Sequence, residues 1–142
     1  MPYEMFSDAW ARAWGEQLLA NQAYKSAART WHWPLILTLQ ADPSLGIPED
    51  RLVYLDLWHG DCREARAATK ADFEQTPFII SADAYTWKQV LIGKLEPISS
   101  IMRGKLKLVK GSMATLAGYV IAAKELVNSS KNIDTSFPEG LA

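Results

Sequence analysis

Residues Thr76–Gly111 read TPFIISADAYTWKQVLIGKLEPISSIMRGKLKLVKG, and this stretch decides the fold. Phe78, Ile79 and Ile80 make Thr76–Ala82 β-rich, bounded by Pro77 and Asp83. Asp83 stands where a helix N-cap belongs, its carboxylate free to accept from an orphan N–H of the first turn. Trp87, Val90 and Leu91 follow at i, i+3, i+4, one apolar helical face. Gly93 ends that helix, because it enters the left-handed region without a Cβ clash. Pro97 opens a second short helix that buries Ile98, Ile101 and Met102, and Gly104 closes it. Lys105–Val109 alternates as a half-buried strand. A strand–helices–strand unit of this length predicts a parallel crossover.

Upstream, residues 5–29 read as helix, with Ser7 and Asp8 as capping candidates and a break at Asn21. Phe6, Trp10, Ala13, Trp14 and Leu18 form its apolar stripe. Trp33–Ala41 and Leu52–His59 alternate as strands. Pro34 restricts the first to an edge or strand-start position, and Gly60-Asp61 marks a hairpin turn. Arg63–Phe73, low in bulk and rich in charge, reads as a third, exposed strand. Downstream, Ser112 caps a final helix whose face runs Met113, Leu116, Ala117, Val120 and Ala123/Lys124, to about Asn128. Residues 129–142 are polar with Pro138 and Gly140 and read as a tail.

A chain of 142 residues is one domain's worth. Its net charge of −1 argues against nucleic acid as a partner, since phosphate binding needs a clear basic excess. The single cysteine, Cys62, leaves no internal disulfide and fits a reducing compartment. No run approaches the roughly 18 apolar residues of a membrane span. Neither a signal peptide at the start nor a peroxisomal S-K-L address at the end is legible, so the cytoplasm is the expected location.

The order of elements, with Trp87, Gly93-Lys94-Leu95, Pro97, Met102, Gly104-Lys105-Leu106 and Gly111 at their spacings, resembles the sterol carrier protein 2 family of lipid-transfer domains. The signature covers about a quarter of the chain, and the element order agrees from Phe6 to Val127. The resemblance implies an α+β fold. A five-stranded mixed sheet carries helices on one face, with an apolar tunnel between sheet and helices. It assigns residues 1–128 to a lipid-binding domain and 129–142 to a C-terminal tail. It also implies non-catalytic binding or transfer of a hydrophobic ligand: a fatty acid, a fatty acyl thioester or a sterol-like lipid. Trp87, Leu91, Ile101, Met102, Met113, Leu116 and Val120 are the expected cavity wall. Phe78, Ile80, Leu106 and Leu108 are the expected sheet floor.

Other chemistry is thin. His59-Gly60-Asp61-Cys62 offers a base, a carboxylate and a thiol, but a hairpin turn explains all four residues. Two histidines and one cysteine make no metal-ligand spacing, and no cofactor motif is present. Arg103, Lys105, Lys107 and Lys110, with Lys94 nearby, form a basic cluster suited either to transient contact with an anionic membrane or to an acyl ligand's anionic end. Exposed aromatics such as Trp58 offer a homodimer contact. Two other function classes stay open. One is a small α+β isomerase or lyase using Asp56 or His59; the other is a cavity-less interaction module in a lipid-metabolic assembly.

Overall fold

The computed structural model describes residues 2–141. In chain order the elements are β1 (Tyr3–Glu4), α1 (Asp8–Ala20), α2 (Gln22–Ala27), β2 (Pro34–Leu39), β3 (Arg51–Trp58), β4 (Asp61–Ala67) and α3 (Lys70–Gln75). There follow β5 (Phe78–Ala82), α4 (Ala84–Leu91), α5 (Pro97–Met102), β6 (Lys107–Lys110), α6 (Met113–Ala117), α7 (Val120–Ser130) and β7 (Thr135–Ser136). The main sheet has five strands in the order β4-β3-β2-β5-β6. Only β2 and β5 are parallel; every other neighbour is antiparallel, so the sheet is mixed.

The parallel crossover expected between the strands of Thr76–Gly111 is replaced by an antiparallel pair. β5 and β6 are direct neighbours, with Ser81 opposite Lys107 and Ile80 opposite Leu108. Gly93, at φ 88°, breaks the connection into two helices of similar length. α4 carries the chain away and α5 brings it back to the end it left, where only an antiparallel strand can start. The parallel partner of β5 is instead β2, which enters the sheet at Pro34, a strand-start position that spares the ladder.

Leu35, Leu37, Leu39, Val53, Leu55, Leu57, Phe78, Ile80 and Ala82 form one apolar face, and six of the seven helices pack on it. α1 lies closest. A Cβ on Gly15 would come within 2.6 Å of the Ala65 Cβ, so both positions must be small for helix and β4 to meet. That explains the low bulk of β4 better than exposure does. Two aromatic groups tie the helices down. Phe6, Trp10, Trp14 and Trp87 are linked by ring-centroid distances of 5.0–5.3 Å, and Trp31 meets Trp33, Phe78 and Tyr119 at 4.9–5.0 Å.

The opposite face carries α3, and here the sequence reading needs correction. The strand expected over Arg63–Phe73 ends at Ala67. Thr69 then caps α3 in a reciprocal box: its hydroxyl accepts from the Asp72 N–H, while the Asp72 carboxylate accepts from the Thr69 N–H at 2.8 Å. A row runs across this face through Arg66, Tyr54, Ile36, Ile79 and Lys110. Its two ends clamp α3. Arg66 makes a two-pronged pair with Asp72, and Lys110 donates to the carbonyls of Phe73 and Glu74 at 3.0 and 2.9 Å. Ile36 and Ile79 are thereby fully buried.

The stretch 129–142, read as a tail, packs against the body over its described residues. Ile133 is buried, and Phe137 and Leu141 lie against the core at successive four-residue steps. β7 pairs in parallel with β1, Tyr3 opposite Thr135, and the Trp10 indole N–H donates to the Thr135 hydroxyl at 2.9 Å. The hairpin turn also shifts by one residue. Trp58 pairs with Asp61, leaving His59 and Gly60 at φ 50° and 89° as the two-residue turn.

The hydrogen bonds from Arg66, and then those from Thr69, hold the Asp72 carboxyl well below the usual carboxylate range. Its stabilising contribution is therefore present above about pH 4 and lost as pH falls toward the folded value. Asp72→Ala should cost about 1–2 kcal/mol at neutral pH through the lost cap and ion pair. In thermal melts the gap between wild type and variant should narrow as the pH is lowered from about 7 to about 3. An unchanging gap would mean that the Asp72 charge adds nothing.

Candidate functional site

Between the apolar sheet face and the helices lies a cavity of about 70 Å³. Leu35, Leu37, Leu57 and Ile80 form its floor, and Leu106 adds to the wall. α1 and α2 contribute Trp14 and Tyr24, and Ala28 and Trp31 follow them. Trp87 and Leu91 come from α4, Pro97, Ile98 and Ile101 from α5, and Leu116 from α6. Tyr119 leads into α7, which adds Ala122, Ala123, Leu126 and Val127.

The three indole N–H groups of this wall, and the hydroxyl of Tyr119, are hydrogen-bonded to other parts of the chain. The indole N–H groups of Trp14, Trp31 and Trp87 donate to the carbonyls of Leu126, Trp33 and Thr38, at 2.9, 2.7 and 2.8 Å. The Tyr119 hydroxyl pairs with that of Thr30 at 2.9 Å. Satisfying these groups elsewhere leaves the hollow with almost nothing for water to bond to, which favours an apolar occupant.

Of the residues expected at the site, Ile80, Trp87, Leu91, Ile101, Leu106 and Leu116 converge on the cavity. Phe78, Met102, Leu108, Met113 and Val120 do not. Phe78 is spent against Trp31 and Trp33, at 5.0 and 5.5 Å. Leu108 and Met113 are half-buried beside the core. Met102 is 66% exposed, because six-residue α5 buries Ile98 and Ile101 and turns its last residue outward. Val120 misses because the expected single last helix is two. α6 stops at Ala117, and α7 restarts after Gly118-Tyr119 with a new phase, so Ala122, Leu126 and Val127 face inward. Trp14 of the wall lies on the Trp10/Trp14/Leu18 stripe legible in α1, whereas Tyr24 of α2 belongs to no stripe read from the sequence. Nothing in a stripe separates a filled core from a hollow one.

The candidate catalytic groups lie elsewhere. Asp56 sits on the α3 side of the sheet and accepts two hydrogen bonds from Arg63, at 3.1 and 3.2 Å. His59 occupies the hairpin turn, with Nδ1 2.8 Å from the Arg29 carbonyl oxygen. The Cys62 thiol is buried against α1, and burial pushes it up to about 11, so it is a neutral thiol at physiological pH. No two of these groups form a nucleophile–base pair. Among the described residues no cluster of three or more His, Cys, Asp or Glu side chains is placed to hold a metal ion.

The basic cluster divides. Arg103, Lys105 and Lys107 are exposed, whereas the Lys110 ammonium is consumed by the α3 carbonyls. Trp58 is 41% exposed, with the Arg63 guanidinium 4.6 Å from its ring centre. No helix among the described residues is long and apolar enough to cross a membrane.

Comparison with known proteins agrees with this architecture. The SCP-2 sterol transfer family model matches residues 16–120. A crystal structure of sterol carrier protein 2 is 44% identical and superposes with a TM-score of 0.82, covering 91% of this chain and 98% of its own. A solution structure of a conserved hypothetical protein from Thermus thermophilus, described as possibly a sterol carrier protein, is also 44% identical. Its TM-score is 0.84, over 96% of this chain and 94% of its own. Sterol carrier protein 2 from Yarrowia lipolytica, in its apo form, shares the fold at 16% identity and a TM-score of 0.58, over 87% of this chain and 88% of its own. Comparison with curated proteins finds no match. With the family match spanning most of the chain and the sheet, helices and apolar cavity in place, this chain belongs to the SCP-2 sterol transfer family.

Proposed function

We propose that the protein is a non-catalytic carrier that takes the apolar part of a lipid into the cavity under α4–α7. The ligand is a fatty acid, a fatty acyl thioester or a sterol-like molecule. The observation that carries this reading is the wall itself, a concave apolar surface whose indole N–H groups all donate to backbone carbonyls.

Burying each CH₂ contributes about 0.8 kcal/mol, so a ~12-carbon chain offers on the order of 10 kcal/mol gross. A single water needs roughly 10–15 Å³ of such space, so about 70 Å³ admits only part of such a chain. The helices must therefore move apart to admit a whole one. That movement, with the ligand's lost freedom, offsets several kcal/mol. The balance is tight enough to hold a lipid and loose enough to release it.

Exposed Arg103, Lys105 and Lys107 beside exposed Met102 supply a contact for an anionic bilayer, each charge contributing about 1 kcal/mol near the surface. The free Cys62 fits work in the reducing cytoplasm. Neither Asp56 nor His59 borders the cavity, so an enzymatic reading gains no support from the geometry.

Native mass spectrometry of freshly purified protein should show lipid-sized adducts, and long-chain acyl ligands should change tryptophan emission through Trp14, Trp31 and Trp87. Ala122→Leu projects new bulk into the hollow. It should lower affinity for such a chain at least roughly tenfold, at a stability cost of no more than about 1–3 kcal/mol. Unchanged affinity in this variant would place the ligand elsewhere. Alkylation of Cys62 by iodoacetamide at neutral pH should be far slower in the native protein than in urea, followed by intact mass. Comparable rates would reopen the case for a reactive thiol.

A further inference from the structure

A second hollow, of about 350 Å³, opens on the surface where the loop between α4 and α5 meets α7. Lys94, Lys124 and Lys131 stand around it, with Asn128 between the two lysines of the α7 end. Pro97 and Val127 line both this outer hollow and the inner cavity, so the two are neighbours that share these side chains.

None of the three lysines forms an ion pair among the described residues. Glu96, the acid on the rim, is occupied: its two oxygens cap α5 by accepting from the Ile98 and Ser99 N–H groups at 2.9 and 2.7 Å. Glu125 turns to the other side of α7, where it accepts from Asn21 at 3.4 Å. The Lys131 ammonium lies over Gly93, 2.9 Å from where a side-chain carbon would begin there, so the end of α7 brings its charge to the loop that carries Lys94. Three lysines against the single Glu96 carboxylate leave the rim with a net positive charge, and a bound anion relieves the remaining repulsion.

We propose that this basic hollow is the head-group site of the carrier and selects amphiphiles with an anionic end, a carboxylate or a phosphate on an acyl chain. The inference rests on the carrier reading. The chain passes between Pro97 and Val127 into the cavity, while the anion stays at the surface among Lys94, Lys124 and Lys131. Three ammonium groups match a phosphate better than a single carboxylate.

The test compares dodecanol, dodecanoate and dodecyl phosphate, each below its micelle concentration, with inorganic phosphate alone, by calorimetry on the whole protein. Dodecyl phosphate should bind roughly tenfold tighter than dodecanol, dodecanoate should fall between them, and high salt should erase the differences. Lys94→Gln/Lys124→Gln/Lys131→Gln should bring all three ligands to the affinity of dodecanol, while Lys70→Gln, on α3 at the opposite face of the sheet, leaves the ranking intact. Dodecanol binding as tightly as its anionic counterparts would overturn the head-group site and leave the carrier standing. No binding of any chain would overturn the carrier. Inorganic phosphate binding as tightly as dodecyl phosphate would make this a site for free anions and sink the link to the cavity.

Discussion

Strand β2 is buried on both sides, and both layers of the protein depend on it. Leu35, Leu37 and Leu39 face the helices, and Ile36 and Thr38 face the α3 side. A central strand covered on two faces cannot move without opening one of them. It therefore fixes the floor against which everything mobile is measured. The link is also polar, since the Trp87 indole reaches the Thr38 carbonyl and ties α4 directly to β2.

The two layers are held differently. α3 is clamped by charge and hydrogen bonds at both ends, through Arg66 with Asp72 and Lys110 with the terminal carbonyls. The helices over the other face are held mainly by apolar and aromatic contact, with short breaks at Gly93 and Gly118-Tyr119. Apolar contact is non-directional and tolerates sliding, whereas a clamped ion pair does not. The rigid side thus supports the sheet, and the deformable side encloses the hollow. Leaving about 70 Å³ unfilled costs on the order of 2 kcal/mol by the usual cavity scaling. Side chains of ordinary size could have filled it. A bound apolar ligand restores the missing contacts and with them that stability.

Much of this is legible in the residues. Asp83, Gly93, Pro97 and Ser112 each mark a helix end, and the structure puts caps or breaks at all four. The Thr69–Asp72 box is equally legible, but the alanines and charges after Arg63 mask it by reading as an exposed strand. Ile133, Phe137 and Leu141 form a sparse apolar pattern in a polar context, too weak to read without the surface that receives it. The wall residues Ala122, Leu126 and Val127 escape the sequence for a geometric reason. A two-residue break between α6 and α7 shifts the helical phase, so the extrapolated stripe reaches the wall at Ala123 but puts Val120 off it and passes over Ala122 and Leu126.

The sequence by itself determined the main strands, most of the helices and their caps, because these follow from local backbone preferences and side-chain periodicity; α3, the break between α6 and α7, and β7 did not follow from them. Tertiary structure alone decided which faces meet closely and which stand apart. Whether Trp87 and Ile80 touch neighbours or border a void depends on distances between elements remote in the chain, and periodicity carries no information about those distances. The same holds for Lys94, Lys124 and Lys131. Their meeting at one opening follows from how α7 crosses the loop at Gly93, an arrangement set by packing alone.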